Sequence, residues 1–178
     1  MTSPNFSLAG FTGDGYSKGK GRIAQIGWMS VRSLLRWWWI PSKLRVFVLR
    51  LFGADIGRNV LIRHSVTIHW PWKLRIGDNS WVGEGAWILN LEPVSIGSNC
   101  CISQDVLICT GSHDRRSATF EFDNAPIVIG DGAWIAARAT VLRGVTIGEH
   151  AVVGACSLVF TDVGPSKLIH YPAAVAGK

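Results

Sequence analysis

The chain has 178 residues, 48% of them hydrophobic and 17% charged, and carries a formal net charge of +6. This composition excludes a disordered chain and allows one domain, or one domain with a short appendage. The basic excess does not read as nucleic-acid binding, because Arg22, Arg32, Arg36, Lys43, Arg45 and Arg50 sit in the first third beside an apolar run, and no aromatic and basic residues interleave in an RNA-binding pattern.

At the N-terminus, Met1-Thr2-Ser3-Pro4 is not a basic stretch leading into an apolar core, so no secretory leader is expected. Residues 7–21 contain five glycines and read as an extended arm, and removal of residues 1–21 should be tolerated. Over residues 22–40, Ile23, Ile26, Val31, Leu34, Leu35 and Trp38 recur at roughly helical spacing, and Pro41 stops the run. Ser42 is placed to cap a second short helix that runs through Phe52 and ends at Gly53. Residues 1–55 are thus expected to supply an arm and capping helices over the open end of whatever follows. Trp37, Trp38 and Trp39, flanked by arginines, also suit peripheral contact with a membrane surface through residues 22–53. Gln25, Arg32 and Arg36 make the same stretch a poor membrane span.

From Ile56 an aliphatic residue recurs every six positions: Ile56, Ile62, Ile68; Ile76, Val82, Ile88; Ile96, Ile102, Ile108; then Ile129, Ile135, Val141, Ile147, Val153 and Val159. Glycine follows directly at Gly57, Gly77, Gly83, Gly97, Gly130, Gly148 and Gly154, and small residues often come four after the aliphatic one, as at Ala86, Ala133 and Ala151. Ile56, Ile76 and Ile96 are spaced by three hexads plus two residues, whereas Ile129 to Ile147 is three hexads with no insert. Three hexads therefore make one turn of a triangular parallel β-helix. About five coils over residues 56–165, stacked ~4.8 Å apart, give a prism roughly 25 Å long.

The one large break in phase lies between Ile108 and Ile129. It throws out a polar loop over residues 109–126 that opens Cys109-Thr110-Gly111-Ser112-His113-Asp114. A polar excursion from a regular solenoid usually carries function. Within it, His113 is the side chain suited to proton transfer near neutral pH, with Gly111 beside it to let backbone approach a substrate. Asp114 is a candidate to orient that imidazole or bind substrate, and Ser112 a candidate oxyanion donor or scaffold residue. His64, His69, His150 and His170 lack this context and read as structural or exposed. Cys100, Cys101, Cys109 and Cys156 form no C-x-x-C pair and have no histidine at zinc-ligand spacing, so they are expected to be small buried thiols of a reducing compartment, and no metal is expected. Residues 166–178 are left as a C-terminal tail.

Ile129-Gly130-Asp131-Gly132-Ala133-Trp134-Ile135-Ala136 and Gly144-Val145-Thr146-Ile147-Gly148-Glu149 resemble the hexapeptide-repeat acyltransferases. Within them the chain is similar to sugar O-acetyltransferases linked to colanic acid and other exopolysaccharide synthesis, on the strength of the arm, the Trp-rich segment and Cys109-Thr110-Gly111-Ser112-His113-Asp114. The resemblance covers roughly residues 8 to 165. It implies an all-β fold built on a left-handed helix, against the usual right-handed crossover. It further implies a cytoplasmic homotrimer with active sites between neighbouring prisms, and acetyl transfer from acetyl-CoA to a free or lipid-linked sugar. His113 falls on the family's catalytic histidine. Asn90, with Glu84 behind it, falls where related enzymes bind the acceptor. Trp134, Ala136, Ala137 and Gly154 fall on the segment that lines the donor groove. The chain departs from the family at its last coil, where Phe160-Thr161-Asp162 and His170-Tyr171-Pro172-Ala173-Ala174 replace the usual Thr-Lys-Asp and Gly-Asn-Pro-Ala. Acyl transfer to an amino sugar or serine, and a non-catalytic β-helix scaffold, are the alternatives that the residues leave open.

Overall fold

A computed structural model describes residues 6–170, and in it the six-residue period becomes three parallel sheets. The first face holds Asp55–Ile56, Leu74–Ile76, Val94–Ile96, Ile127–Ile129 and Thr146–Ile147. The second holds Leu61–Ile62, Trp81–Val82, Cys101–Ile102, Trp134–Ile135, Val152–Val153 and Leu168–Ile169. The third holds Thr67–Ile68, Trp87–Leu89, Leu107–Cys109, Thr140–Leu142 and Leu158–Val159. Each strand pairs with the one a full coil away, as Ile56 with Ile76 and Ile129 with Ile96. Five coils are complete, as the spacing predicts, but the prism also begins a sixth: Val163 bridges to Ile147, and Leu168–Ile169 adds to the second face.

The fifteen in-phase aliphatic residues all point inward, from Ile56 at 6% exposure to Ile147 and Val153 at 0%. Their ladders form one continuous core that runs the length of the prism. The glycines belong to the corners. A Cβ on Gly57 would run into the Asp78 carboxylate of the next coil, and one on Gly97 into that of Asp131. Those carboxylates are needed where they are, because Asp78 accepts the Arg58 N–H and Asp131 the Ser98 N–H, each at 2.7 Å. Asn59, Asn79 and Asn99 take left-handed φ of 55°, 58° and 56° in the same row of corners, which asparagine tolerates better than most residues.

Ahead of the prism, helix α1 spans Arg22–Leu35 and α2 spans Ser42–Leu51. The first helix ends five residues earlier than the position of Pro41 predicts, in a chain of turns over residues 36–40. Ser42 is the first residue of α2 rather than its cap, and its hydroxyl accepts the Ile62 N–H at 2.9 Å, which ties the helix to the first coil. Trp28, Val46 and Leu49 join the prism core, and Trp28 Nε1 donates to the His69 carbonyl at 2.8 Å. Arg45 is not a surface charge but 5% exposed. Its guanidinium donates to the carbonyls of Leu35, Trp37 and Ile62, so it satisfies the frayed end of α1 and the first coil together.

Candidate active site

The break in the repeat is a small antiparallel hairpin. Asp123 N–H donates to Ser112 O, Asp114 N–H to Glu121 O and Ala125 N–H to Thr110 O, and His113 bridges Phe122. Asn124 Oδ1 accepts the Ser112 N–H at 3.0 Å, so that donor is used inside the loop. A turn over residues 115–120 closes the hairpin, and Phe120 adopts φ 55° at its end.

His113 projects from one leg of this hairpin and is exposed. Its ring stacks on Phe120 (centroids 4.5 Å apart, 7° between planes) and on Phe122 (5.1 Å, 25°), and Phe11 meets it edge-on at 5.6 Å. Nδ1 lies 2.8 Å from the Phe120 carbonyl oxygen. A carbonyl can only accept, so Nδ1 carries a proton, and in the neutral ring the lone pair is on Nε2. Asp114 does not orient this ring. Its carboxylate accepts the Arg116 N–H at 2.8 Å and caps the turn instead. An open basin of about 450 Å³ lies beside the ring, lined by His113, Asp114, Arg115, Arg116, Asp123 and Arg143, and within it Arg143 pairs with Asp123.

The glycine-rich arm is not a loose appendage. Thr12 N–H and Gly13 N–H donate to the Glu121 carboxylate at 3.1 and 3.0 Å, and Ser7 N–H donates to the Ala118 carbonyl at 2.9 Å. The Thr12 N–H, foremost among these donors, holds the Glu121 carboxyl below its usual range. Phe6 stacks on Phe120 at 4.5 Å, and Tyr16 meets Phe122 at 4.9 Å. Tyr16 in turn accepts a hydrogen bond from Trp70 Nε1 at 2.6 Å, which anchors the arm to the prism. These contacts tie the arm to the His113 hairpin, so the expected tolerance of losing residues 1–21 is a question of what the hairpin does without them. Neither Phe11 nor Glu121 stands out in the sequence, since an aromatic sandwich across a hundred residues has no periodic signal.

Asn90 sits beneath the loop but is 0% exposed. Its side-chain oxygen accepts the N–H groups of His69 and Trp70, and its amide donates to the Trp70 carbonyl. It therefore fixes the corner where the two-residue insert leaves the prism. Glu84 is exposed and lies 3.3 Å from His64 Nδ1, on a different edge. That edge, between the second and third faces, also carries Ala136, Ala137 and Gly154, stacked by Ala136 N–H to Val153 O and Cys156 N–H to Ala137 O. Ala136 is buried and Gly154 packs against Ile169 and His170, so the ledge there is little more than Ala137 beside the half-exposed indole of Trp134, whose Nε1 donates to Ser103 Oγ at 2.9 Å. The loop leaves the opposite edge, between the third and first faces, so within one chain a full face separates the ledge from His113.

An apolar cavity of about 360 Å³ lies away from both edges, between α1 and the third face. Of the cysteines only Cys100 is buried, where desolvation raises its thiol pKa; Cys101 and Cys109 are half-buried and Cys156 is exposed, all four of them free. His69 is held below its usual pKa, first by burial and then by Arg32, Lys18 and Lys73. Among the described residues, no group of three His, Cys, Asp or Glu could hold a metal ion. Residues 171–178, with the Tyr171-Pro172-Ala173-Ala174 part of the divergent C-terminal turn, lie outside the described residues.

Residues 73–108 match the family described as the hexapeptide repeat of succinyl-transferase, and residues 126–161 the bacterial transferase hexapeptide (six repeats). The chain is 45% identical over 166 residues to a protein of Escherichia coli (strain K12) named for colanic acid biosynthesis acetyltransferase activity, WcaF, covering 91% of this chain and 90% of that one. It is 32% identical over 131 residues to the galactoside O-acetyltransferase of the same organism, covering 71% of this chain and 64% of the relative. The fold matches a hexapeptide-repeat acetyltransferase of Vibrio cholerae O1 biovar eltor, solved with acetyl coenzyme A. That match has a TM-score of 0.77 at 23% identity and covers 94% of this chain and 95% of that one.

Proposed function

This chain belongs to the hexapeptide-repeat acetyltransferases, and from that premise we propose that it moves an acetyl group from acetyl-CoA to a sugar hydroxyl during exopolysaccharide synthesis, with His113 as general base. The observation that carries this reading is the 2.8 Å bond from His113 Nδ1 to the Phe120 carbonyl, which in the neutral imidazole leaves the lone pair on Nε2. A sugar hydroxyl is too weak an acid to ionise alone, so its proton passes to Nε2 as its oxygen attacks the thioester carbon. Collapse of the tetrahedral adduct breaks the carbon–sulfur bond, and the imidazolium returns the proton to the leaving thiolate. The products are the O-acetyl sugar and free CoA. The aromatic sandwich keeps the ring aimed through both proton transfers.

The ledge at Ala136, Ala137 and Gly154, beside the Trp134 indole, is where the family resemblance puts the extended pantetheine arm. Base and ledge stand on different edges of one prism, so the reading requires prisms to pack side by side, one supplying His113 and its neighbour the donor groove. A homotrimer meets that need. Sedimentation equilibrium showing a stable, active monomer would overturn it. In this reading the enzyme works in the cytoplasm, where its free thiols stay reduced, and touches the inner membrane face through residues 22–53. Release of free thiol from acetyl-CoA, followed across a panel of glycosides, amino sugars and serine, tests the acceptor class. Turnover only with amines or serine, or with nothing, would refute it.

A further inference from the structure

The charge of this protein is not spread over its surface. Residues 15–54 contain eight Lys and Arg and no Asp or Glu, while the rest of the chain has ten basic and twelve acidic residues. A segment of net +8, one charge of which is the buried Arg45, thus sits on a remainder of net −2. The same segment exposes most of the large apolar side chains that the fold leaves uncovered at its N-terminal end. On α1, Ile23, Ile26 and Leu34 are 90%, 65% and 57% exposed. They share one stripe of the helix, while Trp28 and Leu35, on the opposite stripe, pack toward the prism. On α2, Leu44, Phe47 and Leu51 follow at i, i+3 and i+7, all exposed, while Val46 and Leu49 face the core. Between the helices Trp37, Trp38 and Trp39 stand 54%, 78% and 56% exposed. Each helix therefore has two apolar stripes, one used by the fold and one unused.

Arg22, Arg36 and Lys43 are exposed around the unused stripes. Arg32 and Arg36 also line the apolar cavity between α1 and the third face, together with Trp87 and Leu89. In the adjacent coil those two residues pair with Leu107 and Cys109, the strand from which the His113 hairpin departs. Neither helix is long and apolar enough to cross a membrane, so the surface can lie on a bilayer but not span it.

We infer that α1, α2 and the tryptophan turn between them form a docking surface for an anionic lipid bilayer, with the unused apolar stripes seated among the acyl chains and the arginines on lipid phosphates. The inference rests on the peripheral-membrane part of the proposed function and names its partner. Tryptophan and arginine are the side chains that tolerate the interface between hydrocarbon and water, and a cation close to an anionic surface strengthens binding by roughly fivefold.

The test uses the full chain and two kinds of vesicle, phosphatidylcholine alone and phosphatidylcholine with 30% (about one in three) phosphatidylglycerol. Co-sedimentation is expected only with the anionic vesicles and should weaken as salt rises. Trp38→Ser combined with Phe47→Ser should reduce binding at least tenfold, and Arg22→Glu with Lys43→Glu should abolish its salt dependence. Acetyl transfer to a soluble glycoside should stay unchanged in all of them, which separates failure of this inference from failure of the catalytic reading. Absence of binding at low salt overturns the inference. So does unchanged vesicle binding by the Trp38 and Phe47 variant, or dissociation of the oligomer by that variant without loss of vesicle binding, since the stripes would then cover one another between copies.

Discussion

Along the prism every coil repeats the hydrogen bonds of the one before it, and each inward residue rests on a like residue one coil away, as Ile102 does on Val82 and Ile135. Residues 110–126 have no such neighbours to copy. Their hairpin is held by its own cross-strand bonds, by Asn124 and by an arm that begins a hundred residues earlier in the chain. The prism is rigid because its contacts are many and equivalent. The hairpin is fixed by a few contacts, each of a different kind, so a single change should move it without touching the fold. That difference is what separates a scaffold from a site whose geometry can be tuned.

Ile102→Asp should have the largest effect of all. The side chain is 1% exposed inside the ladders, and no polar partner reaches it there, so an aspartate would be buried unpaired. The expected outcome is loss of soluble, folded protein, visible as a collapsed circular dichroism spectrum. A folded and active variant would mean that the ladders are not what holds the prism.

His113→Ala should leave the prism untouched and lower kcat by about 10²–10⁴-fold, the usual contribution of a placed base. The acid limb of the pH–rate profile should vanish with it, because that limb reports protonation of the base. Thermal unfolding of the variant should match that of the parent. Near-normal turnover would move the base elsewhere, with Asp114 the next residue to substitute.

The contrast also explains what could be read in advance. The ladders were legible because a period of six in Ile56, Ile62 and Ile68 has one structural meaning, and the break after Ile108 located the hairpin because regularity makes interruptions visible. The burial of Asn90 was not legible, because a polar residue beside an insert looks alike whether it faces solvent or satisfies buried N–H groups, as it does at His69 and Trp70. The anchoring of the arm was not legible, because its glycines suggest slack, while the bonds from Thr12 and Gly13 to Glu121 are backbone donors that no side-chain pattern announces.

Glu121→Ala, or removal of residues 1–15, should sharpen the comparison from the side of the hairpin. Both release Phe11 and the arm from the His113 sandwich. Turnover should fall by up to about 10²-fold, the cost of a misplacement near 1 Å, while the Michaelis constant for acetyl-CoA and the melting temperature barely change. Glu121→Gln keeps one acceptor oxygen and should recover part of the lost rate. Full activity in the truncated chain would show that the hairpin holds its own geometry.

The smallest effect should come from the prism corners. Asp78 accepts the backbone N–H and guanidinium of Arg58, and these donors hold its carboxyl below the usual range, the backbone N–H most of all. A carboxyl with a lowered folded pKa stabilises the fold fully above its unfolded value and loses that contribution as pH falls through the folded one. The melting temperature should therefore be flat through neutral pH and decline only in acid. Asp78→Asn keeps an acceptor for the backbone N–H and gives up only the charge, so it should flatten the acid decline slightly and cost little at pH 7. The pair is open to water, with the Arg58 side chain 87% exposed, and such exposed ion pairs contribute little. Asp131 and Asp162 make the same backbone bond, to Ser98 and Thr146, so one weakened corner leaves others in place. If Asp78→Asn instead lowered the melting temperature as much as a substitution in the ladders, the corners and not the apolar core would set the stability of the prism.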